Sequence, residues 1–196
     1  MPYLRQSKSV CDCDDVWLKA LEAKWACPDC RTLYPEIRKE AVDVVLLYAP
    51  DASAVNSVFP PGIPIARRDF MELFGHYPSQ YLSLGRVFTS DGKLLDEFVT
   101  FVSRRRLLVR GGPDSTVTQC STCGRTGYLA FPPFYVLRDD WFEQPLHESI
   151  GAGQLVLSDE LYSRVKRSRW KGIYVTKLRI VDEPQDGLVF PGKVWR

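Results

Sequence analysis

Histidine and methionine are scarce in this sequence, with two of each in 196 residues. His76 falls in an aromatic, helical stretch and reads as structural. His147 stands beside Glu148 in what reads as a loop flanked by proline and acidic residues, with no nucleophile or partnered base near it. The chain has no phosphate-binding P-loop, GxGxxG fingerprint, HExxH or GxSxG motif. It also lacks the HxE…PCxxC signature of zinc deaminases. These absences remove the common routes to catalysis, and a non-enzymatic protein is expected.

Long apolar runs are missing too. No stretch reaches the roughly 18 apolar residues of a membrane span. Met1 to Val10 is polar and has no apolar core of the kind a secretory signal carries. A membrane partner is therefore not expected, and a cytoplasmic location with reduced thiols is. Nor is there an excess of either charge: 26 basic residues against 24 acidic give a net charge of +2. The chain as a whole thus shows no nucleic-acid footprint, although a local basic patch remains open. There is no internal repeat and no low-complexity run.

What is present suits a folded protein. Hydrophobic residues make up 45% and aromatics 12%, a globular composition. The expectation is one zinc-containing α+β domain over residues 1–196, with a C-terminal strand–helix–strand subdomain over 150–196. The sheets should be mainly antiparallel.

Trp17, Leu21 and Trp25 recur at helical spacing after Asp14, so a helix over 14–25 with Asp14 as its N-cap is predicted. Val42 to Tyr48 reads as a buried strand. Ala49 to Pro64 carries four prolines and reads as a loop. Asp69 to Tyr77 reads as a second helix. Leu82 to Phe88 and Leu94 to Val102 read as strands joined by an Asp91-Gly92 turn. Further strands are expected at Arg104 to Arg110, Tyr128 to Phe131, Phe134 to Arg138 and Leu155 to Leu157. Ser158 caps a helix with Asp159 and Glu160 in its first turn and basic residues toward its end, ending at Gly172. Ile173 to Val181 reads as the last strand.

The strongest chemical signal lies in the cysteines. Cys27-Pro28-Asp29-Cys30 and Cys120-Ser121-Thr122-Cys123 are two CxxC pairs. One tight turn places the two sulfurs of a pair about 3.5–4 Å apart, as tetrahedral zinc with Zn–S near 2.3 Å requires. Each pair supplies half a site, so Cys27, Cys30, Cys120 and Cys123 are expected to bind one structural Zn2+ per chain. The pairs are far apart in sequence, and cross-linking a long loop removes the most denatured-state entropy. Gly124 after the second pair suits a turn with positive φ. Arg31 occupies the matching place after the first pair, which predicts a less regular first knuckle. A redox dithiol, an iron site or unconnected thiols are the competing readings. Cys11 and Cys13 form a CxC pair read as small hydrophobes rather than ligands.

Two basic clusters stand out, Arg104-Arg105-Arg106 with Arg110, and Arg164 to Lys171. They read as a solvated strand start and a dipole-matched helix end, with nucleic-acid contact the sharper alternative. Asp139-Asp140-Trp141-Phe142-Glu143 is either a protein-binding anchor or a loop that tucks Trp141 into the core.

Taken together, these motifs resemble the double-CxxCG family of bacterial toxin immunity proteins, a paralogous group best known in myxobacteria. Trp25 precedes the first pair, Pro60-Pro61-Gly62-Ile63-Pro64 lies between the pairs, and Cys120 to Arg125 forms a CxxCGR knuckle. Leu155 to Val181 supplies a terminal strand–helix–strand unit. Arg31 departs from the pattern where the first Gly would stand. The resemblance implies an antitoxin role. Such a protein binds and neutralises a cognate protein toxin, its cysteines serve the fold, and no toxin-contact residue carries over. A zinc-ribbon nucleic-acid-binding protein and a CxxC redox protein are the alternatives.

Overall fold

The computed structural model describes residues 2–5, 10–34, 40–51, 55–58, 63–75, 81–142, 145–150, 155–168 and 174–183. Among them the chain is α+β, with mixed but mostly antiparallel sheets and few helices. It divides into two compact units. One comprises Met1–Arg5, Arg105–Tyr162 and Val175–Arg196, and the other Gln6–Arg104 and Ser163–Tyr174.

The second of these is built on a six-stranded sheet. Its strands are β2 (Val10–Cys11), β3 (Val44–Leu46), β4 (Val55–Val58), β5 (Ile63–Arg67), β6 (Leu82–Thr89) and β7 (Leu94–Ser103), ordered β2-β4-β5-β7-β6-β3. The outer pairings β2–β4 and β3–β6 are parallel, and the inner three are antiparallel. Helix α1 (Asp15–Trp25) starts as its sequence predicts: Asp14 accepts hydrogen bonds from the N–H groups of Val16 and Trp17. Leu21 is buried, and Trp17, Leu18 and Trp25 pack against a core of Cys11, Cys13, Val44, Leu46, Ile65 and their neighbours.

The β6–β7 hairpin turns at Asp91-Gly92 as expected, with Gly92 at φ 83°. Helix α2 (Arg68–Glu72) is shorter than predicted, because Gly75 at φ 60° closes the turn that follows it. His76 and Tyr77 lie outside the described residues.

The expected loop over 49–64 is overturned at its end, where β4 and the start of β5 form a ladder. The prolines mislead there. Pro64 pairs only with β4, and β7 joins β5 one residue later at Ile65. A residue without an N–H is tolerated where one side of the strand is open.

In the other unit, β1 (Pro2–Arg5), β8 (Arg106–Leu108), β12 (Leu146–Ile150), β13 (Leu155–Leu157) and β14 (Tyr174–Lys177) form a sheet ordered β14-β1-β13-β12-β8. Strand β11 (Tyr135–Leu137) pairs in parallel with β15 (Arg179–Val181). Strands β9 (Thr116–Gln119) and β10 (Thr126–Leu129) form an antiparallel hairpin. Helix α3 (Asp159–Ser168), whose residues from Ser163 belong to the unit built on the six-stranded sheet, follows Ser158, whose hydroxyl accepts from the Leu161 N–H at 3.2 Å. The single strand expected over 173–181 is two strands divided at buried Leu178. The segment holding His147 is strand β12 rather than a loop, and His147 is fully buried against Trp141 and Phe142. A histidine close to Pro145 and Glu148 hid a strand that is covered on both faces.

No helix among the described residues is long and apolar enough to cross a membrane.

Candidate metal centre

Each CxxC pair sits on a knuckle made by local backbone bonding. After α1 the chain extends at Ala26, which bridges Leu33. The Cys27 N–H donates to the Thr32 carbonyl at 3.2 Å, and the Arg31 N–H donates to the Cys27 carbonyl at 2.9 Å. Between β9 and β10 the same pattern recurs. The Cys120 N–H donates to the Arg125 carbonyl at 2.9 Å, and the Gly124 N–H donates to the Cys120 carbonyl at 2.9 Å.

The residue after the second cysteine is left-handed in both knuckles: Arg31 at φ 52° and Gly124 at φ 67°. The expectation of a less regular first knuckle is therefore corrected. Arg31 adopts the conformation that Gly124 takes without strain, at a backbone cost of roughly 1–2 kcal/mol. Its side chain is largely exposed and lies 3.9 Å from the Glu22 carboxylate on α1.

The structure brings all four predicted ligands together. The Sγ atoms of Cys27, Cys30, Cys120 and Cys123 lie within 4.8 Å of one another. Cys27 is buried, Cys120 and Cys123 are half-buried, and Cys30 is exposed. A tetrahedron of thiolates around zinc has sulfur–sulfur edges of about 3.8 Å when Zn–S is near 2.3 Å. The cluster falls within a small adjustment of that spacing, and its donor set is compatible with metal binding. None of the six cysteines is in a disulfide.

Cys11 and Cys13 are not part of the cluster. Both are buried in the core beneath α1. Burial, reinforced by the carboxylates of Asp51 and Asp12, pushes the Cys11 thiol up to about 11. Burial likewise raises Cys13. Thiols held neutral in this way are poor nucleophiles and poor ligands.

Part of the first basic cluster and the aromatic segment after it are absorbed by packing, while Arg104, Lys166 and Arg167 are exposed. Arg110 forms a buried ion pair with Asp140 at 2.6 Å. Arg106 pairs with Glu148 at 3.3 Å, and Arg105 stacks over the Phe142 ring. Trp141 and Phe142 pack against a core of Leu107, Val109, Val136 and Val156. Trp141 is thus tucked in rather than presented as an anchor. Residues 169–171 of the second basic cluster lie outside the described residues.

What the sequence reading missed at the site is the pair of carbonyls, Thr32 and Arg125, that close the knuckles. Each lies five residues after the first cysteine of its pair, and that offset was the available signal. The chain matches no protein-family model and no curated protein.

Proposed function

We propose that this chain is a cytoplasmic, non-enzymatic immunity protein that binds and neutralises a cognate protein toxin, with one structural zinc ion held by Cys27, Cys30, Cys120 and Cys123. The observation that carries the metal assignment is the convergence of four sulfurs from two knuckles with the same backbone bonding. Four thiolates fill a tetrahedral zinc site and leave no position for water or substrate, so the metal's role is to hold the fold. The antitoxin role rests on the double-CxxCG resemblance, which supplies the functional class beyond the metal.

Two observations weigh against the alternatives. A redox CxxC uses a helix N-terminus to lower a thiol pKa. Here one pair follows the end of α1 and the other joins two strands. A nucleic-acid face needs arginines directed at phosphates. Arg106 and Arg110 are instead engaged with carboxylates.

The test is co-production with the product of each neighbouring gene whose expression alone stops growth. Restored growth and a stoichiometric complex stable in salt support the proposal. Failure to neutralise any such neighbour, with salt-sensitive binding to DNA or RNA, overturns it in favour of the nucleic-acid reading.

A further inference from the structure

Strand β9 is a sheet edge with no covering strand among the described residues. Among the described residues it pairs with β10 alone, and all four of its residues are exposed. Edge strands normally carry a charge, a proline, a bulge or a covering segment, because their open backbone groups template pairing with other chains. Thr116-Val117-Thr118-Gln119 has neither charge nor proline, and its ladder with β10 runs without a register shift.

The register fixes which groups are open. The Cys120 N–H bonds the Arg125 carbonyl, so that opposed pair is of the hydrogen-bonded kind. Opposed pairs alternate along an antiparallel ladder. Thr118 with Gly127 and Thr116 with Leu129 therefore bond across the hairpin. The N–H and C=O groups of Val117 and Gln119 point away from β10. Val117 is 41% exposed beside those groups, and Leu129 on β10 is 51% exposed on the other face of the hairpin. Asp114 is exposed just before the strand begins.

We propose that the outer edge of β9 is a docking site for an extended strand of a partner protein, uncharged except for a basic residue at its C-terminal end. The incoming strand runs antiparallel to β9, bonds the backbone of Val117 and Gln119, and places a basic residue at its C-terminal end near Asp114. Charge argues for such a partner, since the edge is neutral with one acid at the end where that strand leaves. Four residues span about 13 Å and bury far less than the roughly 1,200–2,000 Å² of a stable interface, so this edge holds one strand of a larger contact with that partner. The proposal deepens the immunity reading by naming where a toxin's exposed strand would be held, and it rests on that reading only for the partner's identity.

The probe is a short acetylated peptide of alternating Thr and Val that ends in Lys, added to the isotope-labelled, zinc-loaded chain. Amide exchange at Val117 and Gln119 should slow about tenfold or more at saturation, with Thr116 and Thr118 unchanged. A peptide ending in Glu should bind more weakly. Val117→Pro removes an N–H that faces outward and leaves the hairpin's own bonds in place. It should keep its zinc and lose the peptide response. If that variant loses zinc, the wild-type amide readout decides alone.

Unchanged exchange at Val117 and Gln119, or full binding by a zinc-loaded Val117→Pro, overturns the proposal. So does concentration-dependent protection of β9 without peptide, which would assign the edge to a second copy. A toxin neutralised equally by Val117→Pro and wild type would remove the edge while leaving the immunity reading intact.

Discussion

Replacing Arg110 with Met isolates the buried carboxylate of Asp140 and should be among the most damaging single changes outside the cysteines. The two side chains are each only 10% exposed and meet at 2.6 Å. Arg110 also exchanges backbone hydrogen bonds with Tyr135, at 2.8 and 3.0 Å, so the pair sits where β8 and β11 are tied together. Removing one partner of a buried pair leaves an uncompensated charge and costs about 3–5 kcal/mol. In a chain of this length that corresponds to a drop of about 6–20 °C in Tm.

Asp140→Leu should cost a comparable amount, because it strands the Arg110 guanidinium. The double variant Arg110→Met, Asp140→Leu should recover at least about 2 kcal/mol relative to the sum of the singles, because no charge is then stranded. The exposed pair Arg86–Asp43, also at 2.6 Å, provides the contrast. Breaking it should cost under about 1 kcal/mol. Denaturant unfolding at saturating zinc measures all of these. Equal and small losses for the two pairs, or strictly additive effects in the Arg110–Asp140 cycle, would refute the reasoning.

Three further expectations follow from local geometry. Gly124→Val should cost about 1–2 kcal/mol through backbone strain alone, since an added Cβ would meet nothing within 4 Å; a loss well above that in denaturant melts would mean the second knuckle is packed more tightly than described. Gly85→Ala should cost about 2–4 kcal/mol, because its Cβ would lie 2.4 Å from the Thr100 hydroxyl oxygen and break that group's 2.7 Å bond to the Val42 carbonyl; a melt within about 0.5 kcal/mol of wild type contradicts this packing. The Cys11 thiol, raised to about 11 in the folded state, contributes stability that is complete below the ordinary thiol range and is lost as pH rises toward that value; Cys11→Ala should flatten the alkaline limb of the stability–pH curve, and an unchanged limb argues against the shift.

The parts of the fold that were legible are those specified by local chemistry. Asp14 ahead of a Trp–Leu stripe defined α1, Asp91-Gly92 defined the β6–β7 hairpin, and Ser158 defined the start of α3. The four clustered cysteines were legible because two-residue spacing in a turn leaves little freedom in where the sulfurs go. Strands β4, β9 and β12 were not legible, each for its own reason. Prolines surround β4, yet Pro64 occurs where the ladder is one-sided. Strand β9 is polar and exposed on both faces, so it has no alternation to read. His147 interrupts β12 although it is buried among aromatics. Trp141 could be read either way in sequence, and only packing against Leu107 and Val136 decides that it faces inward. Arg31 shows the limit of residue preference, since the knuckle's hydrogen bonds impose a left-handed backbone on an unfavourable residue.

The most direct test of the central claim is the metal content of the purified native protein, read together with thiol titration. The account predicts one zinc ion per chain, slow thiol reaction in the native state, release of Cys27, Cys30, Cys120 and Cys123 on chelation, and reaction of Cys11 and Cys13 only after unfolding. Native protein without zinc, with the cysteines of the cluster reacting freely, would contradict it.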